Sequence, residues 1–396
     1  MRILFLLAGV TATTAAYVKG KAFDRFITIW LENQDFSKVS ENADIVDLHK
    51  EGVSLTNYYG LTHPSQPNYI ASICGDYFGL NHDDLIKIPS NVTTVVDLFE
   101  ARNIEWKGYF ESIPGPGYMG EWGTDKADGG WDYVRKHNPF VSFDRIRQNG
   151  TRLAQLQSFK SFQRDVAANK LPQYAHLSPN MLNDGHNTSL SFATTWTKSF
   201  LTPLLANQKF MENTLILLTY DESETYSKPN KIVSLLLGGA VPQKLKGTSD
   251  DTVYSHYSIL STLENNFELP TLGRYDAGAN VFDLVAAKTG YKNHPLPPPS
   301  SPNQPINNSL SYMGFLNNKP NGWLKLPPPN LQLKGAGSMG PERMTKILWI
   351  TRDKETTPYD GSGILYDGGS GTEESEKARE PVYKAQAPEL VPVKGR

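Results

Sequence analysis

The sequence predicts an α/β protein, a three-layer α/β/α sandwich around a mainly parallel central sheet. Three observations carry this prediction. Short, nearly continuous apolar runs rich in β-forming residues recur as far as about residue 290, the pattern of strands buried on both faces. Segments of helical character separate them, as crossover connections between parallel strands require. The runs also end on chemically capable residues, Glu32, Ser65, Asp184, His186 and Asp221, and the ligand crevice of an open parallel sheet lies at the carboxyl ends of its strands.

In chain order, residues 26–31 read as a buried strand ending at Glu32-Asn33. Residues 40–51 read as a helix closed by Gly52, and 53–59 as a second strand leading into a turn at Ser65. The apolar run 69–73 after that turn is helix-like, residues 94–102 read as a helix, and 105–110 as a strand. Between Glu111 and Asn149 the periodicity gives way to Gly, Pro, Trp and Tyr; this is too long and irregular for an ordinary connection and is expected to be a substrate-facing insertion. Residues 153–168 then read as a helix, 174–177 as a strand, 183–187 as a polar turn and 192–205 as a helix. Residues 213–220 are the clearest buried strand, ending at Asp221-Glu222. Residues 231–237 form a further strand, and 257–267 a last helix with Ser255 as its N-cap.

The domain organisation expected is a signal peptide at 1–16, a catalytic domain at 17–290, a Pro-rich wrapping segment at 291–330 and a Gly, Pro and charge-rich tail at 331–396 without a packed core. Met1-Arg2 followed by Ile3 to Val10 and small residues has the order of a secretory signal, which implies an exported protein. That apolar run is shorter than the ~20 residues a membrane span needs, so no stable membrane association is expected. A formal charge of -2 without a long Lys/Arg run excludes the electrostatic footprint of a nucleic-acid binder. The one cysteine, Cys74, lies within an apolar run and reads as a small buried hydrophobe. Sequons begin at Asn91, Asn149, Asn187 and Asn307, as in an exported glycoprotein.

The most informative stretch is Thr62-His63-Pro64-Ser65-Gln66-Pro67-Asn68-Tyr69, a hydroxyl set between two prolines at the start of a helix. Free backbone N–H groups there favour a bound phosphate. Glu32, Asn33, Asp221 and Glu222 are oxygen donors suited to one hard divalent cation, Mg²⁺, Ca²⁺ or Mn²⁺. Such a cation neutralises phosphoryl oxygens and offsets the cost of burying carboxylates. Successive strand residues point to opposite faces, so Asp221 and Glu222 share a cation only where the strand turns. His63, His137, His186 and His256 are candidates for holding phosphate or protonating a leaving alcohol, and Asp184, His186 and His256 are an alternative second metal set. Together these features read as a metal-assisted hydrolase of small phosphate esters.

Five motifs in consistent order over residues 20–290 resemble one family. They are Trp30 to Phe36, His63 to Tyr69, Lys136 to Phe140, Asn183 to Asn187 and Thr219 to Glu222. The family is the phosphoesterase family of secreted fungal acid phosphatases, which also holds bacterial phosphatidylcholine phospholipases C, within the alkaline-phosphatase-like superfamily. The resemblance implies Ser65 as phosphorylated nucleophile, a metal at Glu32, Asn33, Asp221 and Glu222, and His186, His256, His137 and Asp184 as further catalytic residues. Glu222 stands where two-zinc members of the superfamily have histidine, which points to a single cation. The activity implied is phosphate monoester hydrolysis, with phospholipase C or phosphodiesterase as the alternative and an inert carbohydrate-binding protein as the reading from another class.

Overall fold

The structure, a computed structural model, describes residues 17–123, 130–295, 311, 316–318 and 335–338. The expected signal peptide, the sequon at Asn307, and most of the expected wrapping segment and tail lie outside the described residues.

Eight strands among the described residues form one sheet: β1 (Arg25–Leu31), β2 (Val53–Tyr59), β3 (Trp106–Phe110), β4 (Leu156–Ser158), β5 (Tyr174–Ser178), β6 (Thr214–Tyr220), β7 (Ser234–Leu237) and β8 (Thr248–Ser255). Their order across the sheet is β4-β3-β5-β1-β6-β7-β2-β8. Every neighbouring pair is parallel except those of β7, which runs antiparallel to both β6 and β2. Every residue of β1, β5, β6 and β7 is buried. Burial on both faces requires cover on both, and helices supply it, which makes the α/β sandwich the sequence predicts.

Several predicted elements differ in the structure. The helix expected at 40–51 is two helices, Phe36–Ser40 and Ala43–His49, because the Asn42 side chain accepts from Asp44 N at 3.0 Å and starts a new helix. The one expected at 153–168 is interrupted by β4, after which Ser158 caps Phe159–Ala167 through Ser161 N at 3.3 Å. β7 is shorter than the run 231–237. Ser255 is not a helix cap: it ends β8, an edge strand the sequence reading passed over, and the helix Tyr257–Phe267 starts after His256. That helix is not the last, since Asp283–Thr289 follows.

The core runs along both faces of the sheet, with Trp30, Tyr58, Tyr69 and Tyr109 fully enclosed. Cys74 is buried at the end of the helix Ser65–Cys74, as a small hydrophobe is expected to be, and Gly75 follows it at φ 79° to close the helix. Four outlying residues pack back onto this body: 335–338 rest on its last turns, where Asn265 Nδ2 donates to Ala336 O at 2.9 Å and Ser338 N to Leu269 O at 2.9 Å.

Candidate active site

The site forms where β1 and β6, neighbours in the sheet, end beside the start of the helix Ser65–Cys74. After Leu31 the chain leaves β1, and Asn33 adopts a left-handed φ of 37°. After Tyr220 it leaves β6, and both Asp221 and Glu222 are fully buried. The two acidic pairs therefore share one space, because the chain turns at each strand end instead of alternating faces. Gly60 sits tight against this junction: a Cβ there would lie 2.8 Å from Asp221 O.

Asn68 holds the Ser65 turn from within. Its Oδ1 accepts from Leu61 N at 2.8 Å and Thr62 N at 3.3 Å, and its Nδ2 donates to Thr62 O at 2.8 Å and Pro64 O at 3.2 Å. Asn230 adds a bond from Nδ2 to Thr62 O at 3.0 Å. Ser65 is thereby presented at the head of a ten-residue helix, and its Oγ lies 3.2 Å from Glu32 Oε2, 3.2 Å from Glu222 Oε1 and 3.5 Å from Asn33 Oδ1. Asp221 Oδ1 accepts from Asn33 N at 3.3 Å.

Burial raises the carboxyls of Glu32 and Glu222 well above their ordinary range, and the negative charge of Asp221 raises them further. Burial likewise raises Asp184, and brings Asp221 up to about 6 against hydrogen bonds from the Asn33 and Glu222 backbone that lower it. Glu32, Asp221 and Glu222 thus gather enclosed carboxyls near one hydroxyl, with burial the first cause of their raised values. The Asn33 amide is satisfied with its NH₂ toward the carboxylates, donating to Glu32 Oε2 at 3.0 Å and Asp221 Oδ1 at 3.1 Å.

Glu32 also belongs to a second group with His137 and Asp184 whose ligand atoms lie within 4.8 Å of one another, a set that could also hold a metal ion. His137 Nε2 is 3.3 Å from Glu32 Oε1 and its Nδ1 3.6 Å from Asp184 Oδ2. Burial, then the charge of Lys136, lowers the His137 ring well below its ordinary value, which favours its neutral form. The grouping differs from the second metal set weighed in the sequence, Asp184 with His186 and His256, because those two histidines face elsewhere. His186 lies at the exposed rim, its ring 6.2 Å from that of His137 and its Nδ1 2.9 Å from Asn187 Oδ1. His256 departs from the contact with phosphate that the resemblance implies. Its Nε2 meets the Asp221 carbonyl at 2.6 Å, its Nδ1 the Tyr58 hydroxyl at 3.3 Å, and its ring packs on Trp30. It braces the acidic strand end from behind.

Two site residues, Tyr69 and Lys136, received no role from the sequence, and a third, His63, only a shared one. Tyr69 donates to Glu32 Oε1 and stacks on His137 with ring centres 5.1 Å apart. His63, weighed only as one candidate among the histidines, meets Glu222 Oε2 through Nδ1, carries Tyr226 stacked on its ring at 3.9 Å, and is lowered to about 4 by burial. Lys136 reaches Asp83 at 2.9 Å. Tyr69 and Lys136 lay inside the motifs quoted above, which was the available signal.

The Phosphoesterase family profile matches residues 35–270. A probable acid phosphatase of Kluyveromyces lactis is 47% identical over 320 residues, which cover 81% of this chain and 74% of the relative. An acid phosphatase of Aspergillus fumigatus is 50% identical over 277 residues, 70% of this chain but 62% of the relative, so this chain spans less than two thirds of that protein. Among solved structures, a Vibrio parahaemolyticus protein in the alkaline phosphatase superfamily is similar at a TM-score of 0.43 and 12% identity, over 62% of this chain and 66% of the other. Among the described residues no helix is long and apolar enough to cross a membrane.

Proposed function

The chain belongs to the phosphoesterase family, and from that premise we propose that it is a secreted acid phosphatase, a phosphoric monoester hydrolase working through a phosphoserine intermediate. The observation that carries the reading is the Ser65 hydroxyl, fixed at a helix N-terminus and 3.2 Å from each of two buried carboxylates. In the first step Ser65 Oγ attacks phosphorus in line, its proton passes to the surrounding carboxylates and the alcohol departs; in the second, water attacks the phosphoserine and inorganic phosphate leaves. The positive end of the helix dipole favours the phosphoryl oxygens, while the Gln66 N–H is already given to Asp83 and Pro67 has none. Asn68 keeps the nucleophile in register, Tyr69 fixes the Glu32 carboxyl, and His186 at the rim is placed to protonate the leaving alcohol. Glu32, Asn33, Asp221 and Glu222 would hold one hard divalent cation, which when bound supplies charge neutralisation for the phosphoryl group.

A phosphodiesterase or phospholipase C reading of the same site draws on the exposed Trp122 and Trp131 of the insertion, 41% and 42% accessible, where an apolar leaving group could rest. The deciding experiment sets phosphate release from a monoester beside cleavage of a choline-type diester, at mildly acidic and neutral pH, for the protein and its Ser65→Ala variant. Monoester turnover that disappears in the variant, with a phosphoserine trapped in the parent by acid quench, supports the proposal. Turnover retained by a folded, cation-loaded Ser65→Ala protein would remove the nucleophile, and dominant diester cleavage would move the chain to the second reading.

A further inference from the structure

We propose that Lys136 is the residue that selects phosphate monoesters over diesters, by meeting the additional negative charge that only a monoester carries. The inference rests on the monoesterase reading above and deepens it.

The chain ties Lys136 to the nucleophile through two consecutive hydrogen bonds. Gln66, the residue after Ser65, donates its backbone N–H to Asp83 Oδ1 at 2.9 Å, and Lys136 Nζ donates to Asp83 Oδ2 at 2.9 Å. The Gln66 side chain reinforces this arrangement on both sides: its Nε2 donates to Asp84 O at 2.9 Å, and its Oε1 accepts from Arg135 Nη1 at 3.5 Å. Lys136 is thus fixed relative to Ser65 by the fold and does not reach it by side-chain flexibility alone.

An ammonium has three donors, and one of them goes to Asp83; the other two meet no partner among the described residues. The side chain remains 18% exposed, so the ammonium is accessible to solvent. Lys136 is also the cation acting on Glu32, Asp184 and Glu222. A lysine placed only to hold a surface loop would have no reason to sit in the field of the catalytic acids with two donors spare.

A monoester carries roughly 1.5 to 2 negative charges near neutrality and a diester one, so the selection is read at neutral pH and narrows as pH falls below the monoester's second pKa of about 6. A fixed ammonium beside the phosphoryl group therefore stabilises the monoester selectively, and inorganic phosphate, the product, likewise.

The test uses the full chain and its Lys136→Met, Lys136→Gln and Lys136→Arg variants. Each is assayed on an aryl phosphate monoester and on the methyl diester with the same aryl leaving group, with inorganic phosphate as competitive inhibitor. Lys136→Met is expected to lower kcat/KM for the monoester about 10²-fold and for the diester roughly tenfold or less, and to weaken phosphate inhibition, with Lys136→Arg recovering part of each. Lys136→Gln, which retains a donor for Asp83, serves the same purpose if the methionine variant does not fold. Equal losses on both substrates would make Lys136 a structural residue and overturn the inference, as would unchanged phosphate inhibition. A parent protein that prefers the diester would instead overturn the monoesterase reading on which the inference stands.

Discussion

Replacing Asn68 with alanine tests the claim that one buried side chain holds the nucleophile. Asn68 is fully enclosed and all four of its bonds go to backbone atoms between Leu61 and Pro64. Alanine leaves the Leu61 and Thr62 N–H groups and the Pro64 carbonyl without this partner in a buried place, and the Thr62 carbonyl with its bond from Asn230 only. At about 1 kcal/mol net for each bond, with the longer two discounted, the loss of stability is about 2–4 kcal/mol. The turn also loosens, and a displacement of Ser65 by about 1 Å costs on the order of 10² in turnover. Urea unfolding followed by tryptophan fluorescence reads the first quantity and kcat on a monoester the second. Asn68→Asp sharpens the experiment, because it keeps the bonds from Leu61 and Thr62 while setting an acceptor against the Thr62 and Pro64 carbonyls. A stability loss well under about 1 kcal/mol for Asn68→Ala, with kcat preserved, would refute the account, since the turn would then be held by the sheet and helix alone.

Two further outcomes are expected. Treatment with a chelator should abolish turnover and lower the melting temperature, with Mg²⁺, Ca²⁺ or Mn²⁺ restoring both; because burial holds Asp221 near 6, the cation concentration needed for half-restoration should rise as pH falls through that value, and full turnover in the chelated protein would sink the metal assignment. Glu264, far along the chain from these residues, is fully buried and faces Asp276, whose oxygens already accept from Arg274 N at 2.8 Å and Gly273 N at 3.2 Å. Burial, then the Asp276 charge, raises the Glu264 carboxyl well above its ordinary range, so its stabilising protonated form is retained below the unfolded value and lost as pH rises through the folded one. Glu264→Gln should leave acid stability nearly unchanged and raise stability on the alkaline side by on the order of 1–3 kcal/mol, read as melting temperature against pH; a uniform shift at every pH would contradict the protonation assigned here.

The buried strands were legible because β1 and β6 are nearly continuous runs of apolar and β-branched residues, the mark that burial on both faces leaves in a sequence. β8 was not, because Thr248 to Ser255 is largely polar and lies at the sheet edge, where alternation is the only signal and is weak. Asn42 and Ser158 carried cap chemistry in plain view, yet each sat inside a longer stretch that scored as one helix. At the site, the residue types that gather around Ser65 could be read from the motifs, but not the turn at Asn33 that lets adjacent donors share a space. Nor could the sequence assign His256, since a histidine before a helix looks the same whether its ring faces a ligand or a carbonyl just past the end of β6. Lys136 stood next to a motif histidine, and only the bridge through Asp83 gives it a purpose.

The short turn Arg135–His137 serves two masters at once, since His137 borders Glu32 and Asp184 while Arg135 and Lys136 are clamped to the residue following the nucleophile. Tolerance to change along the insertion is consequently lopsided. Trp131, exposed and outside these bonds, can be varied at little cost, whereas the chain at Trp122 is tied to the same turn: Arg135 N donates to Glu121 Oε2 at 2.9 Å, and Trp122 and Tyr133 exchange backbone bonds at 2.9 and 2.7 Å. Remodelling at Trp122 is therefore transmitted to residues 135–137 and onward to the neighbourhood of Ser65.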